Sequence, residues 1–165
     1  MPALEAEAVA PEVSLPSIDG RTLSLSDLRK QTPVVLAFFK VGCPTCQYAL
    51  PFLERISRAY PKDKLTVMGI SQDSRENTLE FMRTFGISFP VLLDDTKKYP
   101  ASNAYGLTNV PSIFLVSANG KIELSTVGWV KDEIGKVSHM AAKSAGIAPA
   151  EIFKKNESVL DFKAG

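Results

Sequence analysis

Cys43-Pro44-Thr45-Cys46 constrains the fold more than any other stretch of the chain. These are the only two cysteines among 165 residues, and they follow the apolar run Pro33-Val34-Val35-Leu36-Ala37-Phe38-Phe39. A strand that ends in Cys-x-x-Cys, with a helix starting inside the motif, is suited to redox chemistry. The helix start leaves backbone N–H groups without intrahelical partners and sets the positive end of the helix dipole beside the first sulfur. Both effects favour a thiolate, the form that attacks disulfides. The second sulfur stands one turn on, close enough to form a ring and release whatever the first has captured. Cysteines so closely spaced cannot staple distant segments, which excludes a disulfide scaffold.

Lysine plus arginine number 19 and aspartate plus glutamate 18, for a formal net charge of +1. That balance provides no basic field to attract nucleic acid or an acidic membrane. The apolar runs fall far short of the ~20 residues that span a bilayer. The opening stretch Met1 to Glu7 has two acids and neither lysine nor arginine, unlike a secretory signal. The expected location is therefore cytoplasmic, or periplasmic or otherwise extracytoplasmic if a leader has been removed. Length and a 45% apolar content suit one domain with a real core, expected to be a monomer.

Along the chain, residues 1–12 read as a loose lead-in. Val13 to Leu25 alternates around Asp19-Gly20 and reads as a β-hairpin. Ser26-Asp27-Leu28 suggests a short helical turn. A buried strand at about 33–39 precedes a helix at about 44–60 and a strand from Leu65 to Ile70. A helix at about 75–85 ends at Gly86 and a short strand runs from Phe89 to Leu93. A helix over about 96–105 closes at Gly106. Ser112 to Val116 and Ile122 to Val127 form strands about the Asn119-Gly120 turn. Residues 131–145 form a helix closed by Gly146, with a further short helix near 149–156. Strands alternating with helices of this length imply an α/β fold with a largely parallel sheet, and the last hairpin adds an antiparallel edge. The expected organisation is a domain over 13–145 and an extension, 146–165, packed on it or trailing from it.

Three segments together resemble the thioredoxin superfamily, in its TlpA/ResA-like and peroxiredoxin-like (redoxin, AhpC/TSA-type) branch. The first is Phe38-Phe39-Lys40-Val41-Gly42-Cys43-Pro44-Thr45-Cys46; the second is Tyr105-Gly106-Leu107-Thr108-Asn109-Val110-Pro111-Ser112-Ile113-Phe114-Leu115. The third is the N-terminal hairpin with a central helix–strand insertion at about 74–94. Pro51 matches the proline inside the family's first helix. The resemblance covers roughly residues 12–145. It implies a thioredoxin-like fold, a central mixed sheet flanked by helices, in which Val110–Pro111 is a cis peptide lying against the cysteines. It also implies that the backbone at Val110 and Pro111 pairs with an extended partner peptide.

The implied activity is thiol–disulfide exchange with partner proteins. Cys43 would be the nucleophile and Cys46 the resolving thiol, supported by the loop residues Lys40, Gly42, Pro44 and Thr45. The alternative is a peroxiredoxin-like thiol peroxidase, whose cysteine follows a Pro-x-x-x-Thr/Ser-x-x-Cys pattern. Aligned on Cys46, those places hold Phe39 and Cys43; aligned on Cys43, they hold Leu36 and Lys40. Neither register supplies a peroxide pocket. The family's buried aspartate in the strand before the motif is Ala37 here, and a glutamate common after the second cysteine is Ala49. These departures leave Cys46 without an evident base. Lys40 can favour a thiolate by its charge, but capping the strand is its more ordinary role. Two cysteines and one histidine, His139, fall short of a structural zinc site. No Gly-rich phosphate loop is present, so no cofactor is expected and an upstream electron-donor protein must supply electrons. Trp129, Phe81, Phe85 and Phe114 read as core, and Asp94-Asp95 as a turn and helix cap.

Overall fold

The computed structural model describes residues 3–165. Its frame is a five-stranded sheet built from β3 (Val34–Phe39), β4 (Thr66–Ser71), β5 (Val91–Leu93), β6 (Ser112–Val116) and β7 (Ile122–Val127). A hairpin of β1 (Ser14–Pro16) and β2 (Thr22–Ser24) precedes it, followed by the short α1 (Leu25–Leu28). The sheet order is β5-β4-β3-β6-β7; β3, β4 and β5 run parallel, whereas β6 and β7 are antiparallel to their neighbours. Helices α2 (Pro44–Ala59) and α3 (Arg75–Phe85) make the crossovers between parallel strands. This is the expected mixed α/β sheet, with the N-terminal hairpin and the helix–strand insertion in place.

All six residues of β3 are buried, because both faces of the sheet are covered. Val35, Ala37 and Phe39 face one cluster with Leu50, Leu53 and Ile56 of α2 and with Trp129. Val34, Leu36 and Phe38 face the other, with Leu25, Tyr105 and Phe114. The period of two thus divides a continuous apolar run between two cores and places the strand's end, just before the cysteines, on a rigid base.

Three local expectations need correction. The helix expected over 96–105 is only α4 (Pro100–Ala104). A proline disfavours helical geometry in the residue before it, and Tyr99 takes φ 47° instead. Asp95 holds the preceding turn through the Lys97 and Lys98 N–H groups, while buried Asp94 accepts from Ala101 N, Ser102 N and Ser102 Oγ. Residues 149–156 form no helix. Their backbone is bonded from outside, Ala150 N–H donating to Tyr60 Oη and Ile152 O accepting from Arg55. The lead-in is not loose over residues 4–10. Leu4 N donates to Tyr105 O, Glu7 N to Ile122 O and Ala10 N to Gly120 O. Met1 and Pro2 of that stretch lie outside the described residues.

After β7 come a two-residue strand, β8 (Trp129–Val130), and helix α5 (Lys131–Ala145), which ends at Gly146 in the left-handed region. The chain then returns as β9 (Phe162–Lys163), antiparallel to β8. Nothing in the sequence pattern announced this last pairing.

Candidate active site

β3 delivers the chain into the loop 40–43, and α2 starts at Pro44 with Cys43 as its N-cap. Proline suits this first helical position, where its missing N–H is not needed. Cys43 Sγ takes the capping role, accepting the Cys46 N–H at 3.2 Å. The loop is clamped from two sides. Val41 N–H donates to Asp73 Oδ2 at 2.8 Å, and Gln47 Nε2 donates to Val41 O at 2.9 Å. Lys40 O accepts the Cys43 N–H at 3.3 Å. Gly42 and Pro44 are exposed, Cys43 is half-buried, and Thr45 and Cys46 are buried.

Across from Cys43 lies the loop before β6, where the Val110–Pro111 peptide is cis. Cys43 Sγ lies 3.5 Å from the Val110 carbonyl oxygen and donates to it as a thiol. Ser112 Oγ donates to Asn109 O, and Gly128 N to Pro111 O, fixing the loop on both flanks. The two segments quoted from the sequence therefore meet at one sulfur and one carbonyl. Both free thiols are present: the outer one reachable, the inner one sealed.

Burial pushes the Cys46 thiol far above its ordinary value. Its side-chain hydrogen bond with Cys43 adds to this, as do the charges of Cys43 and Asp73, against an opposing backbone N–H from Lys40. Ala37 and Ala49, the places where a carboxylate was missed, are fully buried in the apolar cluster. The carboxylate whose charge bears on Cys46 is instead Asp73, just past the end of β4. Its signal was topological: in a parallel sheet, functional groups gather beyond the carboxyl ends of adjacent strands.

Lys40 is exposed and lines a depression of about 210 Å³ with Gln72, Asn103, Asn109 and Val110. Thr45 does more than fill the motif. Its Oγ1 donates to Ala164 O at 2.5 Å, bringing the end of the described chain to the dithiol. Asn109 Nδ2 donates to Gly165 O at 3.3 Å. His139 is exposed on α5, away from these groups in the fold. Among the described residues, no cluster of three or more His, Cys, Asp or Glu side chains is placed to hold a metal, and no helix is long and apolar enough to cross a membrane.

Comparison with known proteins agrees with this geometry. Thiol-disulfide oxidoreductase ResA of Geobacillus thermodenitrificans is 28% identical over 127 residues, covering 76% of this chain and 71% of ResA. The thioredoxin-like protein YneN of Bacillus subtilis is 29% identical over 123 residues, covering 72% of this chain and 69% of YneN. The thioredoxin domain of a thiol-disulfide oxidoreductase from Bacteroides vulgatus superposes with a TM-score of 0.75 at 25% identity, covering 84% of this chain and 99% of that domain. Peroxidoxin BcpB of Mycobacterium tuberculosis shares the fold alone, with a TM-score of 0.69 at 16% identity over 87% of this chain and 97% of its own. The sequence profile of the AhpC/TSA family matches residues 6–125, from the lead-in through most of β7. With that profile spanning the dithiol and the cis-proline loop alike, the chain belongs to the AhpC/TSA family.

Proposed function

We propose that the protein is a thiol–disulfide oxidoreductase that exchanges disulfides with partner proteins through Cys43 and Cys46. The observation that carries this reading is the asymmetry of the pair: Cys43 is half-buried at the head of α2 and faces Val110 O, whereas Cys46 is buried one turn below. Cys43, as thiolate, attacks one sulfur of a partner disulfide; the other partner sulfur leaves as a thiolate and takes a proton. Cys46 then loses its proton and attacks Cys43 Sγ. The second partner sulfur departs, and a Cys43–Cys46 disulfide remains. Two electrons have passed to the partner, and an upstream dithiol protein restores the pair. In reverse, the same steps oxidise thiols.

Burial of Cys46 keeps its thiol protonated in the resting pair and makes its deprotonation the demanding step. Val110 and Pro111 form the backbone rail for the partner's extended segment. Pro44 and Gly42 keep the approach to Cys43 open, Thr45 fixes the adjoining chain, and Lys40 supplies positive charge at the rim. Residues 13–145 make up the working domain, with 146–165 packed on it. The 28% identity to ResA over 127 residues supports exchange over peroxide reduction, as does the absence of a Pro-x-x-x-Thr/Ser-x-x-Cys pattern.

The test is a pair of variants. Cys46→Ser should accumulate a mixed disulfide with partner proteins, and Cys43→Ser should accumulate none. Equal trapping by both would refute the assignment. Insulin-disulfide reduction should be abolished by either change. Fast hydroperoxide turnover without insulin reduction would make the protein a peroxidase instead.

A further inference from the structure

We infer that residues 162–165 are a releasable strap laid over the partner-docking face of the dithiol, and that a partner's extended segment must displace them before its disulfide can reach Cys43. The inference rests on the exchange reading above and adds to it a self-blocking element.

The route of the chain carries the argument. Residues 160 and 161 are moored to the core side of the site: Leu160 N–H donates to Tyr48 Oη at 2.9 Å, Trp129 Nε1 donates to Leu160 O at 2.5 Å, and Lys131 N donates to Asp161 O at 3.0 Å. Beyond this mooring, β9 pairs with β8 for two residues only. Lys163 O then lies over Gly128, where an added Cβ would come within 2.8 Å of it. Gly128 has φ 73°, and its missing side chain is what lets the strap lie so close. Ala164 O accepts from Thr45, inside the Cys-Pro-Thr-Cys motif, and Gly165 O accepts from Asn109, next to Val110.

The decisive contact is with Val110. A Cβ on Gly165 would sit 2.6 Å from the Val110 carbonyl oxygen, so the Gly165 backbone is already packed against it. Cys43 Sγ engages that same oxygen at 3.5 Å. A strand added alongside Val110 needs this carbonyl and the space in front of it. The strap and a docked partner segment therefore cannot share the site.

The hold on the strap is also weak in kind. Phe162 is 64% exposed and Leu160 48%, so the apolar side chains of this stretch face outward rather than anchoring it. Among the described residues, 162–165 are held by a short ladder and two side-chain hydrogen bonds, the sort of contact that an incoming backbone can replace one for one.

Gly165→Val provides the test in the full chain, because its Cβ must collide with the Val110 carbonyl and push the strap away. Insulin reduction, as kcat/KM, should rise about fivefold or more, while reduction of hydroxyethyl disulfide, too small to need the docking face, should stay within about twofold. Unchanged or slower insulin reduction would overturn the strap. A second measurement does not depend on turnover. In Cys46→Ser, Cys43 is joined chemically through a disulfide either to an extended cysteine-containing peptide or to a methylthio group. Amide exchange over residues 162–165 should be at least tenfold faster with the peptide than with the methyl group. Equal protection in both would refute displacement. If neither wild type nor variant reduces insulin, the exchange reading fails, and the amide measurement still decides the strap.

Discussion

The loop 40–43 and the segment 160–165 converge on the same carbonyl, that of Val110, yet they are held there by different means. The loop grows out of a fully buried strand and is clamped by Asp73 and Gln47 from elements at the centre of the fold. The segment is fixed at one end by Tyr48 and Trp129 and lies beyond them on a two-residue ladder with its phenylalanine in solvent. A site for exchanging partners needs both properties. The nucleophile must return to one position after every cycle, and whatever occupies the docking face beside it must be able to leave.

Trp129→Ala should break this contrast most severely. The indole is fully buried, stacks among Tyr48, Phe52 and Phe153, and donates to Leu160 O. Truncating a core aromatic of this size costs about 3–5 kcal/mol. Denaturant unfolding should show the loss, and the distal segment should become sensitive to proteolysis. Asp73→Ala acts on the loop alone. It leaves the part-buried Val41 N–H without its charged acceptor, a loss of about 1–3 kcal/mol. It also removes a negative charge that opposes ionisation of Cys46, so ultraviolet thiolate absorbance should show that thiol titrating at lower pH than in the wild type.

The buried strand, the crossover helices and the turn at Asn119-Gly120 were legible because each has a local cause: an apolar run, a capping residue, a glycine. The dithiol and Pro111 were legible because their spacing and neighbours are distinctive. Asp73 was not, since its place beside Cys46 depends on β4 lying next to β3 in the sheet. The strap was invisible for a related reason. The partners of the strap and its mooring, Thr45, Tyr48, Asn109 and Trp129, are scattered along the chain, and most of the bonds use backbone atoms that every sequence possesses. Pro100 carries a local signal too: the residue before a proline rarely continues a helix, and α4 begins only at that proline.

Smaller effects sharpen the same comparison through pH. The folded state holds the Cys46 thiol above its ordinary value of 9.0, so it favours the protonated form more than the unfolded chain does. That contribution is complete below pH 9 and is lost progressively as pH rises beyond it. The reduced wild type should therefore lose stability in alkali relative to Cys46→Ala. On the strap's side, Arg55 meets Glu157 at 2.5 Å and holds its carboxyl at about 2, against an ordinary 4.5. This depressed value contributes stability above pH 4.5 that disappears as pH falls toward 2. The difference in thermal stability between wild type and Glu157→Gln should narrow across that window and leave the loop's amide protection untouched.

Both outer margins of the sheet are hemmed by the chain itself. The hairpin bridges Ser17 to Leu92 along β5, and residues 7–10 run beside Lys121 and Ile122 where β7 begins. Edges interrupted in this way leave fewer free backbone groups for association between copies. On the exchange reading, a partner's backbone is instead received at the turn before β6, the place where the sulfur waits.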